Sequence, residues 1–560
     1  MKQISLLLIA MTFIFMSCNK PLTEDQVEAK NPGILSLGET SVAADQAYVD
    51  ERVQIFAPFE LKADLSHLTD NERKIIDLLW GAADIMEDLF WKQAIGQRDD
   101  FLNSIADENT KKLVIINYGP WDRLANNKPF IEGIGTKPEG ANFYPLDMTK
   151  EEFEAFDDPN KTSGYTLIRR DEEGKLKSVW YHEAYKPQLQ KAADLMKEAA
   201  TYADDPGLKR YLELRADALM TSDYQPSDFA WMEMQNANID FVVGPIESYE
   251  DLLYGYKCAF ESFILIKDNE RSAQLAKFSA MLPELQANLP VSADYKKDVP
   301  GTQSDMNVYE AIYYRGDCNA GSKTIAINLP NDEEVHQKFG SRKLQLTNSM
   351  QAKFEKIVVP IAEVILDENQ LQHVKFNAFF ENTTFHEVAH GMGIKSTIDG
   401  KQTVREALKE QYMAIEEAKA DIMGLYLVSE LYKKGELTEG EMKDNFTTSF
   451  VGIFRSSRFG AASAHGKSNM MQFNYFEKAG AFTRNAETGK YTINYDKMYD
   501  AMKNFMILIL HLQGDGNYEV TKQFIENEGV VKPLLQQDLD RINASGIPVD
   551  IMFTQGKQLY

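Results

Sequence analysis

Apolar positions recur with helical spacing over much of this chain. Ile75, Ile76, Leu79, Ala82, Ala83, Met86, Leu89 and Phe90 fall on one helical face, and Thr69-Asp70-Asn71-Glu72 ahead of them reads as a capping box. The same period predicts helices over residues 187–203, 206–220, 270–286, 351–366, 404–434, 438–454 and 498–512. Short apolar runs closed by turn residues predict strands at 113–116, 240–249 and 324–331, with 251–266 also extended. Two hairpins are expected, 165–168 with 176–180 around Glu172-Glu173-Gly174-Lys175, and 482–484 with 491–495 around Glu487-Thr488-Gly489. A Gly- and Pro-rich stretch over 126–145 reads as loop. The chain is therefore mixed helix and strand at first and mostly helical from residue 348 onward.

The beginning of the chain has another character. Lys2 precedes an apolar run over residues 4–16, of signal-peptide length and short for a bilayer span. It ends at Phe15-Met16-Ser17-Cys18, which resembles a bacterial lipobox. The expectation is a signal peptide over 1–17, lipidation of Cys18 and a polar tether over 18–31. That makes an exported bacterial lipoprotein of the periplasm or outer membrane, touching the membrane only through its anchor. A net charge of −25 argues against nucleic acid as a partner and against docking on anionic lipid. Cys258 and Cys318 are not in C-x-x-C spacing, and whether they pair stays open. A chain of 560 residues buries enough surface for at least two lobes.

The chemistry concentrates in Phe385-His386-Glu387-Val388-Ala389-His390, followed by Glu416-Glu417-Ala418-Lys419-Ala420-Asp421. On a helix, His386 and His390 lie one turn apart on one face, so both imidazoles reach one cation. Glu387 beside them is placed to take a proton from an attacking water. Glu417 supplies the third ligand from a second helix whose small and apolar residues mark it as buried. Three protein ligands leave a fourth position open, the pattern of a catalytic zinc site with one Zn2+ per chain. Glu416 and Asp421 are the acids positioned to hold the outer nitrogens of the ligand imidazoles. The bland alternative, two histidines on an ordinary amphipathic helix, leaves the downstream acidic helix unexplained.

At these residues the sequence resembles the dipeptidyl peptidase III family of zinc exopeptidases, and the peptidase-like region that plants fuse behind a Nudix domain. Asn117-Tyr118-Gly119-Pro120-Trp121, Pro245-Ile246-Glu247-Ser248-Tyr249, Asn328-Leu329-Pro330-Asn331, the two zinc motifs and Ala464-His465-Gly466-Lys467 occur in the family's order. No Nudix box is present. The resemblance implies an α+β fold of two lobes about a cleft, a mainly helical zinc lobe facing a mixed lobe with a small β-barrel. It implies a mixed lobe over 32–344, with some of its helices belonging to the upper lobe, a zinc lobe over 345–520 and a tail over 521–560 packing on both. It assigns zinc to His386, His390 and Glu417, and general-base catalysis to Glu387. Glu247 is implied to hold the substrate's α-amine, Asn328 and Asn331 its backbone, and Tyr249 and His465 the scissile carbonyl and transition state. Two departures are visible: the family's peptidases carry one more residue between the glutamate and the second histidine, and Asp421 replaces a longer acid. The expected activity is metal-assisted hydrolysis of short peptides near their free N-terminus. The rival from composition is a helical nutrient-binding lipoprotein, and a third reading is a family member that binds peptides without cleaving them.

Overall fold

The computed structural model describes residues 43–298, 305–458 and 460–560, so the expected signal peptide, tether and Cys18 lie outside the described residues. A short strand, β1 (Phe56–Glu60), precedes helix α1 (Asp70–Ala94). The capping box is present: Thr69 Oγ1 accepts the Glu72 N–H at 3.2 Å, and the Glu72 carboxylate accepts the Thr69 N–H at 2.8 Å. Both bonds satisfy amides that the first turn leaves unpaired.

The next element overturns an expectation. Residues 113–116, predicted as a strand, lie in helix α2 (Glu108–Asn117). The Asp107 carboxylate accepts the Thr110 N–H at 2.7 Å, while Leu113, Val114 and Ile116 are buried. A good N-cap and a buried helical face outweigh the strand preference of a β-branched run. The first predicted hairpin forms from β2 (Thr166–Arg170) and β3 (Leu176–Trp180). Helices α3 (Lys186–Tyr202), α4 (Pro206–Thr221) and α5 (Gln225–Glu233) follow, each with Pro in its first turn, where a missing N–H costs nothing.

β4 (Ile239–Glu247), β5 (Ala259–Asp268), β6 (Asp305–Gly316), β7 (Ala326–Leu329) and β8 (Arg342–Leu346) form one five-stranded sheet in the order β4-β5-β6-β8-β7. Only β6 and β8 run parallel. Residues 251–258, expected to be extended, instead form a turn, because the Asp251 carboxylate accepts the N–H groups of Leu253, Tyr254, Tyr256 and Lys257 at 2.9–3.2 Å. The small barrel does not close among the described residues. Its outer strands are β4 and β7, and across the seam the Asn331 side-chain amide donates to Ile246 O at 3.3 Å.

Helix α6 (Asn269–Ala287) lies between β5 and β6 in sequence but packs with the later helices. These are α7 (Phe376–His390), α8 (Tyr412–Lys434), α9 (Met442–Ser457), α10 (Ala464–Lys478) and, after the hairpin β9 (Phe482–Arg484) and β10 (Tyr491–Ile493), α11 (Tyr495–Asp515). The single helix expected over 404–434 is broken: Val404–Leu408 ends at Lys409, whose φ of 51° no α-helix allows, and α8 begins afresh. A π-helical turn, Phe354–Val358, interrupts the helix expected over 351–366. At the end of the chain β11 (Asp550–Thr554) pairs in parallel with β1. Two hydrophobic cores result, one around α1, α3, α4 and the sheet, the other around α6 to α11, giving the two-lobed α+β fold. Cys258 and Cys318 are free thiols, and no described helix is long and apolar enough to cross a membrane.

Candidate metal centre

Helices α7 and α8 touch backbone to backbone. A Cβ on Gly424 would stand 2.8 Å from both the His386 nitrogen and the Phe385 carbonyl carbon. Glu417 lies seven residues earlier, two turns along the same face, so this close approach brings its carboxylate to the two histidines. His386 Nε2, His390 Nε2 and Glu417 Oε2 form a triangle with sides of 3.2, 3.4 and 3.8 Å. Ligands held tetrahedrally at about 2.0–2.2 Å from a metal stand about 3.3–3.6 Å apart. The triangle is therefore ready for a divalent cation.

A second observation supports that fit. Glu417 Oε2 is buried and accepts no hydrogen bond, although imidazole nitrogens of His386, His390 and His465 lie 3.2–3.8 Å away. A buried carboxylate oxygen without a donor is costly, and a cation is the partner it lacks. The outer face of each ring is already held. His386 Nδ1 lies 2.7 Å from Asp421 Oδ1, and His390 Nδ1 lies 3.0 Å from Glu416 Oε1. An Nδ1–H donated outward turns the Nε2 lone pair inward. The holding acids are held in turn: Asp421 by Ser468 at 2.7 Å and Gln472 at 2.9 Å, Glu416 by Lys419 at 2.7 Å and Gln513 at 3.0 Å.

These charges favour a cation at the centre. Burial works to lower the His386 pKa, but the Asp421 and Glu417 carboxylates prevail and raise it, so positive charge between the rings is favoured, whether a proton on Nε2 or a metal that takes its place. Burial likewise works to raise Glu416, but its bond to His390 and the charge of Lys419 bring it down to about 2.

The remaining predicted residues divide into two groups. Glu387 follows His386 on α7 and is half-buried; its carbonyl accepts Lys343 Nζ at 2.7 Å. Lys343 is the cross-strand partner of Asn328, so the sheet edge bearing that exposed amide lies against α7. His465 occupies the first turn of α10, where Ser463 caps the helix, and its Nδ1 stands 3.2 Å from Glu417 Oε2. Glu247 and Tyr249 lie at and just past the end of β4. Burial raises the Glu247 pKa against the opposing bond from Asn331, and the Glu247 charge, with burial, raises Tyr249, whose side is largely exposed. Glu261 and Asp317 add to the shift of Tyr249 and are raised themselves, chiefly by burial.

The model of peptidase family M49 matches residues 150–396. Nudix hydrolase 3 of Arabidopsis thaliana is 32% identical over 92% of this chain and 74% of its own length. Solved structures of DPP III from Caldithrix abyssi (TM-score 0.85, 40% identity, 90% of this chain and 98% of that one) and of dipeptidyl-peptidase III from Corallococcus sp. strain EGB (0.74, 37%, 91% and 97%) share the fold. The chain belongs to peptidase family M49. Family M49 peptidases are metal-dependent, and among the described residues His386, His390 and Glu417 form the metal-shaped group with the orphaned oxygen.

Sequence reasoning missed the M49 chain's supporting residues. Ser468 and Gln472 follow His465 at three and seven residues, one face of α10, so that spacing was readable. Gln513 is fully buried just past the most apolar stretch of α11, and a buried polar residue signals a partner. Lys343 gave no local signal, because its contact depends on how the sheet meets α7.

Proposed function

We propose that the protein is a zinc-dependent dipeptidyl-peptidase-like hydrolase that cleaves short peptides near their free N-terminus. The observation that carries this reading is the triangle of His386, His390 and Glu417 around an orphaned buried carboxylate oxygen, with Glu387 alongside. Zinc held there by these three residues supplies Lewis-acid activation of the scissile carbonyl.

The chain's own groups do the rest. Glu387 takes a proton from the attacking water and returns it to the leaving amine. Tyr249 and His465 donate to the developing oxyanion. Asn328 and Asn331 hold the substrate backbone. Glu247 holds the α-amine: an ammonium whose ordinary pKa is about 7.7–8.0 supplies the positive charge that a partly buried carboxylate favours.

The test is turnover of dipeptidyl-naphthylamides beside their N-acetylated counterparts, with metal analysis of the same protein. One zinc per chain and cleavage of the free-amine substrates alone are expected. Metal without turnover indicates a peptide-binding member of the family, and absence of stoichiometric metal favours a nutrient-binding lipoprotein. The same proposal places the protein outside the cytoplasm, anchored by lipid on Cys18. Radiolabelled palmitate incorporation that survives Cys18→Ser would remove the anchor assignment.

A further inference from the structure

At the seam between β4 and β7, α4 and α5 close over a narrow cavity of about 70 Å³. One buried donor on its wall lacks a partner: Arg215 is only 7% exposed, and its Nε makes no hydrogen bond. The hydroxyls of Tyr165 and Tyr224, each able to donate or accept, lie on the same wall. Buried donors in a native structure are paired as a rule, so the Arg215 Nε at this cavity points to a missing acceptor. Gly244 makes the cavity possible: its φ of +131° disfavours a side chain, and a Cβ there would come within 3.3 Å of the Tyr224 ring and 3.7 Å of an Arg215 Nη.

The cavity opens beside the amine-binding corner. Asn331 and Ile246 form its rim, are bonded to each other at 3.3 Å, and Ile246 precedes Glu247. With an α-amine seated on Glu247, the first side chain of the peptide is the group nearest this rim.

The chemistry of the walls selects among side chains. The Arg215 charge is already matched by Asp228, its short-range partner, and Asp332 adds a second acid. An incoming carboxylate would be the third negative charge against one positive. A lysine or arginine offers donors only and leaves Arg215 Nε unsatisfied. At roughly 10–15 Å³ for each water-sized occupant, the space holds about five to seven non-hydrogen atoms, too few for an indole.

We propose that this cavity is a specificity pocket for the first residue of the peptide, and that it takes a neutral side chain ending in a carboxamide, glutamine before asparagine. The inference rests on the amino-peptidase reading of Glu247.

The test is kcat/KM on freshly prepared Xaa-Ala-naphthylamides with Gly, Leu, Gln, Glu, Lys and Trp first. Glutamine should exceed glycine, glutamate and tryptophan by about tenfold, the worth of one well-made hydrogen bond, and should exceed leucine of similar size. Replacing both phenols (Tyr165→Phe with Tyr224→Phe) should lower the Gln-to-Leu ratio severalfold. Turnover with no dependence on the first residue, or a ratio that survives the double variant, overturns the pocket. If nothing in the panel is cleaved, the peptidase reading fails separately. Calorimetry of Gln-Ala, Glu-Ala and Gly-Ala with zinc-loaded protein then decides the pocket: tighter Gln-Ala binding supports it, and equal affinities sink it.

Discussion

Among the described residues the helical lobe contains two clusters in which histidine meets carboxylates closely enough to chelate, and they differ in what the acids already do. In one, His373 Nδ1 lies 2.7 Å from Asp444 and 3.7 Å from Glu441. Those acids are spent on the start of α9: they form its capping box, with Asp444 Oδ2 accepting the Glu441 N–H at 3.2 Å. In the other, Glu417 sits mid-helix with no free backbone amide to cap, and its Oε2 is orphaned. Both clusters satisfy a distance criterion. Residual demand separates them: a helix end explains the first, and only a cation explains the second.

The largest expected effect is catalytic. Glu387→Gln should lower turnover by about 10²–10⁴-fold with zinc content unchanged; full activity in that variant removes the base assignment. Next comes loss of a ligand. Glu417→Ala should purify without stoichiometric zinc, whereas His373→Ala should keep it, and zinc loss in both variants would erase the distinction between the clusters. Asp421→Asn is milder, weakening zinc by about 10–100-fold in competition with a chelator; an unchanged affinity would show that the His386 ring is held by packing alone. The smallest effect belongs to the capping cluster: Asp444→Ala should cost about 1–2 kcal/mol of stability, read as a lower Tm, with no change in zinc affinity.

What was legible in the sequence was local. The Thr69 capping box, the hairpin at β2 and β3 and the spacing of His386 from His390 depend on neighbours within a few residues. The helix α2 was misread because Leu113-Val114-Ile115-Ile116 outweighed the Asp107 cap that precedes it. The break at Lys409 and the open seam of the sheet arise from contacts distant in sequence, and no periodicity reports those. In the site, three ligand types and their order were readable. Their convergence was not, because it depends on α7 and α8 meeting at Gly424.

The bond from Lys343 to the Glu387 carbonyl joins a strand of one lobe to a helix of the other. Separating the two at this point costs that bond, so a change at Lys343 is felt both at the stretch of α7 that carries Glu387 and, across the strand pair, at Asn328.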